Sequence, residues 1–108
     1  MEYKMYKKQW SEFEVQALAY AILRKNLYPN YFVRGEYKFD RCRVDIAVFK
    51  NIPGHEPVLK VVIEVKKSEN SRSTAQAERY TDCTGVPCVY VRGGDMAYKV
   101  LSLVTPFL

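Results

Sequence analysis

The sequence has one histidine and three cysteines in 108 residues, and each scarcity closes off chemistry. His55 lies in a Pro/Gly-bounded loop, Ile52-Pro53-Gly54-His55-Glu56-Pro57. A Ser-His-Asp or Cys-His mechanism would need that ring to swing from the loop into a site, and the plain reading is a surface histidine. The cysteines form no metal pattern, because Cys42 stands alone and Cys83 and Cys88 are five apart. Zinc sites built from Cys and His use tighter ligand pairs. Neither GxxxxGK[ST] nor GxGxxG occurs, so the phosphate-cradling nucleotide motifs are missing. No apolar run approaches the roughly 20 residues of a membrane span, and no membrane association is expected. Met1 to Lys8 carries basic residues with no apolar stretch behind them, which is not the form of a secretory signal. Together with an odd number of thiols, this leads to the expectation of a reducing, cytoplasmic setting.

What is present reads as a single domain over residues 1–108. The hydrophobic fraction of 48% and charged fraction of 27% are those of an ordinary globular chain, which excludes disorder. Lys and Arg number 17 against 12 Asp and Glu, a net charge of +5. That balance favours an anionic partner, nucleic acid first and an anionic membrane surface second. It also serves solubility, so charge alone does not decide.

The punctuation predicts the order α-β-β-β-α-β-α. Ser11-Glu12-Phe13-Glu14 has the capping-box form and starts a helix running to about Asn26. Val15, Leu18, Ala19, Ile22 and Leu23 give it one apolar face, and Phe13, Ala17 and Tyr20 a second. The helix is therefore expected to be covered on more than one side, by the sheet and by a second subunit. Pro29 ends it. Tyr31 to Phe39 reads as a strand with Gly35 at a bulge or kink, followed by a turn at Asp40-Arg41. Cys42 to Phe49 alternates, with Cys42, Val44, Ile46 and Val48 on one side and Arg43, Asp45, Ala47 and Phe49 on the other. Val58 to Lys66 is nearly continuous aliphatic sequence, as in a central strand covered on both faces. A helix from Ser73 or Thr74 to about Cys83 stops at Thr84-Gly85, and Pro87 to Val91 is a short strand. Asp95 is expected to cap a last helix from Met96 to Leu103. The fold class is α/β, a mixed central sheet flanked by helices.

The chemistry-bearing residues are Asp45, Glu64 and Lys66. Strand period is two, so Glu64 and Lys66 share one face while Val61, Ile63 and Val65 share the other. A carboxylate near the end of a buried strand carries a large desolvation cost unless positive charge offsets it. Lys66 offsets part of it, and a divalent cation shared with Asp45 would offset more. Two carboxylates, water and a phosphate oxygen make a suitable oxygen shell for Mg²⁺, with Mn²⁺ as the alternative. Lys66 then positions or deprotonates the attacking water and screens developing charge. Taken alone, Glu64-x-Lys66 is equally a same-face ion pair at a strand end.

Arg43-Val44-Asp45-Ile46-Ala47-Val48-Phe49 followed by Pro57-Val58-Leu59-Lys60-Val61-Val62-Ile63-Glu64-Val65-Lys66-Lys67 resembles the core of the PD-(D/E)XK nucleases. More narrowly it is similar to the N-terminal nuclease domain of type I restriction-enzyme motor subunits. Gln76-Ala77-Glu78-Arg79-Tyr80 has the Gln-x-x-x-Tyr form found in some of these nucleases, and Thr84 to Gly94 fits the strand that follows. Val44 stands where the family has proline. The resemblance implies a restriction-endonuclease-like core and a Mg²⁺-dependent deoxyribonuclease that leaves a 5′-phosphate. It implies Asp45, Glu64 and the Val65 carbonyl as metal ligands and Lys66 as the catalytic lysine. It implies Gln76 at the catalytic water or at DNA, and Tyr80 packing or touching phosphate. Many members also bring a first-helix acid to the metal. Here Glu12 is better aimed at the sheet than Glu14, which the capping box explains.

Lys67, Arg72, Arg79 and Arg43 offer a DNA-facing surface around this site. Lys4, Lys7 and Lys8, interleaved with Tyr3, Tyr6 and Trp10, form a basic aromatic arm suited to phosphate contact and stacking. The same aromatics are equally suited to packing on the first helix. The expected partner is DNA, double-stranded or branched. One site against two strands makes a homodimer the expected assembly, with two-fold pairing as the default symmetry. The competing readings are a non-catalytic nucleic-acid-binding module and an interaction subunit on the same scaffold.

Overall fold

A computed structural model describes residues 9–67 and 82–108. The first helix, α1, spans Glu12–Leu27. Ser11 caps it as the sequence predicts: the Glu14 amide donates to Ser11 Oγ at 3.1 Å, and Glu14 Oε1 accepts from the Ser11 amide at 3.1 Å. Two amides otherwise left over at the helix start are thus satisfied. Val15, Ala19, Leu23 and Leu27 recur at one-turn spacing and are all buried. The helix ends at Tyr28, joined to Pro29 by a cis peptide bond.

Four strands follow: β1 (Tyr31–Lys38), β2 (Arg43–Lys50), β3 (Val58–Lys66) and β4 (Cys88–Arg92). They form one mixed sheet in the order β1-β2-β3-β4. The first three are an antiparallel meander, and β4 runs parallel to β3. The Phe39 amide donates to the Cys42 carbonyl at 2.7 Å and closes the turn around Asp40-Arg41. Of the predicted helix over residues 73–83, residues 82–84 are helical and the rest lies outside the described residues.

One face of the sheet carries the main core. Val33, Ile46, Val48, Val61, Ile63, Val65 and Val91 pack there against Val15, Ala19 and Leu23 of α1. The opposite face carries a smaller cluster of Val44, Ala47 and Val62, with Phe39, Phe49, Leu59, Val86 and Cys88 against it. The strict alternation predicted for β2 therefore fails at Val44, which joins Ala47 rather than Ile46. The cause is local. Glu36, facing this stretch from β1, adopts φ +53, and the regular pairing skips from Gly35↔Ile46 to Tyr37↔Val44. The irregularity sits one residue after Gly35, where the sequence predicted it.

The C-terminal helix also differs from expectation. Instead of one helix from Met96 to Leu103 there are two short ones, α2 (Gly93–Tyr98) and α3 (Val100–Val104), and a 3₁₀ turn at Thr105–Phe107. Asp95 sits inside the first turn and no side chain caps α2. Two glycines set this start. Gly93 has φ +83, which lets the chain turn straight out of β4. Gly94 is buried beneath Trp10, and a Cβ there would collide with the indole. Trp10 also meets Tyr98 edge-on, with ring centroids 6.3 Å apart. It belongs to the packing between the chain start and α2, where Ala97, Val100 and Val104 join the main core.

The cysteines bring a correction. Cys42 and Cys83 are joined in a disulfide across a separation of 41 residues, and Cys88 is the free thiol. The expectation of three reduced thiols is replaced by one. The pairing depends on the β1–β2 turn meeting the segment that leads into β4, and no local spacing signals that. Among the described residues no helix is long and apolar enough to cross a membrane.

Candidate functional site

The site forms where β2 and β3 part. Their ladder runs from Lys50↔Val58 to Ile46↔Ile63, and continuing that register sets Asp45 opposite Glu64. At this point a side chain replaces the backbone partner. The Val65 amide donates to Asp45 Oδ2 at 2.7 Å. The bond is short, as expected when the acceptor is a carboxylate. The Asp45 carbonyl is also taken from outside the sheet, accepting from Gln16 Nε2 of α1 at 3.3 Å. Asp45 is thereby held from two sides as β2 leaves the ladder.

Glu64 is the one charged side chain buried among the described residues, at 7% exposure. It stands in register with Tyr90 of β4, and Lys66 with Arg92. Val61, Ile63 and Val65 pack into the α1-side core, so Glu64 and Lys66 point to the other face, as strand alternation predicts. Lys66 is half-buried and Lys67 is exposed.

The Cys88 thiol reports on both acids. It packs in the small cluster with Ala47 and Val62, on the Glu64 face. Burial pushes it up to about 12, and the negative charges of Glu64 and then Asp45 push the same way, against a hydrogen bond from the Glu64 backbone. Both carboxylates therefore act on Cys88, Glu64 more strongly than Asp45.

Cations ring this end of the sheet. Lys38 ends β1, Arg41 lies in the following turn and Arg43 begins β2. Lys66 and Lys67 end β3, and Arg92 ends β4. Arg43 is engaged by Glu36, at 3.0 Å. Both are exposed, so the pair adds little stability and leaves Arg43 able to exchange partners. Arg92 lies over the Tyr90 ring, 5.1 Å from its centroid. A cleft continues the rim, with Lys38, Asp40 and Arg41 on one wall and Asp82 and Cys83 on the other.

Of the residues singled out from sequence, Asp45, Glu64, Val65, Lys66 and Lys67 come together at this rim, while Arg43, at the same end of the sheet, is turned to Glu36 rather than sharing the face of Asp45 as predicted. Glu12 is exposed in the first turn of α1, and among the described residues no three acidic, Cys or His side chains form a metal-sized group. Glu12 is thus not gathered with Asp45 and Glu64. Gln76, Tyr80, Arg72 and Arg79 lie outside the described residues, as do Lys4, Lys7, Lys8, Tyr3 and Tyr6. Trp10 packs in the core and does not extend a basic arm. Sequence reasoning missed Tyr90, Arg92 and Cys88 as neighbours of the acids. Their placement follows from the parallel β3–β4 register, which depends on the whole connection between those strands.

The donor set suits a hard divalent cation: two carboxylates and the Val65 carbonyl are all oxygen donors. The sulfur beside the acids, Cys88, is held protonated at neutral pH. No protein-family model, curated protein or solved structure matches the chain.

Proposed function

We propose that this protein is a Mg²⁺-dependent nuclease of the PD-(D/E)XK type that hydrolyses DNA phosphodiester bonds. The observation that carries the reading is the fork at β2 and β3. Asp45 is pinned there by the Val65 amide, Glu64 is opposite it in register, and Lys66 is on the Glu64 face. Asp45, Glu64 and the Val65 carbonyl are the residues that would hold the ion. When bound, it supplies Lewis-acid polarisation of the phosphate.

The remaining work belongs to the chain itself. The Lys66 ammonium is a compact, mobile cation suited to orienting a water for in-line attack on phosphorus. The bond from that water's oxygen to phosphorus forms as the bond to the 3′-oxygen breaks, leaving a 5′-phosphate and a 3′-hydroxyl. Lys38, Arg41, Lys67 and Arg92 place positive charge along the rim where a phosphate backbone would run. The Gln16 bond to the Asp45 carbonyl keeps the acid from swinging away as substrate binds.

The test is incubation of plasmid and branched DNA with Mg²⁺ or Mn²⁺ and a chelator control. Wild type is expected to cleave only with the metal. Glu64→Gln and Lys66→Met are each expected to lose at least about a hundredfold in rate. Duplex affinity should stay within a few fold for both variants and fall steeply with salt. Equal cleavage by wild type and both variants overturns the assignment. Salt-sensitive binding with no cleavage by any of them assigns the chain to nucleic-acid binding alone.

A further inference from the structure

We propose that the outward face of α1 docks on the same face of a second copy of this chain, the two helices antiparallel about a two-fold axis near Tyr20 and Ala21. Phe13, Ala17, Tyr20, Arg24 and Tyr28 fall within an arc of about 80° on this helix. Phe13, Ala17, Arg24 and Tyr28 of that arc are exposed on the far side from Val15, Ala19 and Leu23, while Tyr20 at its edge packs on the main core beside Gly35. The arc's apolar ends are open, with Phe13 79% exposed and Tyr28 66% exposed. Small residues, Ala17 and Ala21, sit in the middle and allow two backbones to approach.

Relief and charge are both self-complementary. One cleft runs between Phe13, Ala17 and Tyr20 and the β1 residues Gly35 and Glu36. A second runs between Tyr20, Ala21, Arg24 and Tyr28. A two-fold between Tyr20 and Ala21 sets each Phe13 at the height of the other copy's Tyr28, so each projecting ring meets the other copy's cleft. The acids of α1 are in its first turn, Glu12 and Glu14, and its bases in the last, Arg24 and Lys25. Glu36 lies beside this end, held by Gln16 Nε2 at 3.2 Å and paired with Arg43 at 3.0 Å, so the acidic character comes from Glu12 and Glu14. Antiparallel docking brings each acidic end to the other copy's basic end and opposes the helix dipoles favourably. A parallel arrangement would set like charges together, and a nucleic acid laid along the helix would be repelled at its acidic half. The face therefore fits another copy of itself better than a polyanion.

A helix of this length is about 24 Å long. One helix face of that length covers less than the ~800 Å² per partner of standard complexes, so the association is expected to be weak. The inference is independent of the nuclease reading, because the face uses none of Asp45, Glu64 and Lys66.

The test is sedimentation equilibrium of the whole chain from low to several hundred micromolar. The wild-type mass is expected to rise from monomer to dimer across that range. Ala17→Arg, a good helix former at an exposed position, should weaken association at least tenfold with an unchanged circular dichroism spectrum. A cysteine placed by Ala21→Cys should crosslink to itself through a short bismaleimide, and one placed by Ser102→Cys on α3 should not. Three results overturn the proposal: a monomer at every concentration, a dimer unaffected by Ala17→Arg, or equal crosslinking from positions 21 and 102.

Discussion

At the scale of single residues, the site is a contest between burial and charge. Glu64 is held in the sheet where an isolated carboxylate is costly, and the cations at the strand ends reduce that cost. Cys88 shows the same field acting on a different group. As a thiol raised from 9.0 to about 12, it is neutral in the folded chain wherever the unfolded chain would begin to ionise. The sign follows. The folded value is the higher one, so its contribution is fully present below pH 9 and is lost as pH rises towards 12. Wild type is therefore expected to lose more stability than Cys88→Ala over that interval, measured as the difference in urea midpoints at each pH. Alkylation of native Cys88 by iodoacetamide should also be slow at neutral pH, since the thiolate is the nucleophile. Rapid alkylation at pH 7 without unfolding would contradict the placement of both acids beside it.

At the scale of elements, what was legible depended on how local the cause is. The capping box needs four consecutive residues, and Ser11 and Glu14 behave as their spacing predicts. The facing of Glu64 and Lys66 follows from the period of a strand and is borne out by the burial of Val61, Ile63 and Val65. Val44 was misassigned because its face is set from the neighbouring strand, where Glu36 takes a left-handed conformation. The single C-terminal helix gives way to two at Lys99, which takes φ −100 and ψ 6, and its start at Gly93-Gly94 lies under Trp10, more than 80 residues earlier. That contact makes a direct prediction. Gly94→Ala forces the indole or α2 to move, and overpacking of this kind costs about 1–3 kcal/mol. Trp10 is the sole tryptophan, so its fluorescence reports both the shifted packing and the lowered urea midpoint. Combining Gly94→Ala with Trp10→Leu should recover part of the loss, giving a clear coupling in a double-mutant cycle.

At the scale of the molecule, a small domain must find stability beyond one core, and the sheet here divides its apolar residues between two clusters. The Cys42–Cys83 bond supplements both. Closing a loop with a separation of 41 residues is worth about 4 kcal/mol in the chain-entropy account. Reduction is thus expected to lower the melting temperature by roughly 15 °C in scanning calorimetry, and Cys42→Ser with Cys83→Ser to reproduce the shift without reductant. The α/β architecture was legible in the sequence because each strand and helix carries its own pattern. The fork at Asp45 was legible only as a pairing of two acids, and its hydrogen bonds to Val65 and Gln16 were not. Both come from segments separated in the chain, joined by a register that no single stretch encodes.

The same covalent link changes what a protease can achieve. The exposed loop at Pro53 to Pro57 lies inside the closed ring between Cys42 and Cys83. A peptide bond cut there opens the ring without releasing either half. The nicked protein would migrate as one band under denaturing conditions and separate into two only after thiol is added.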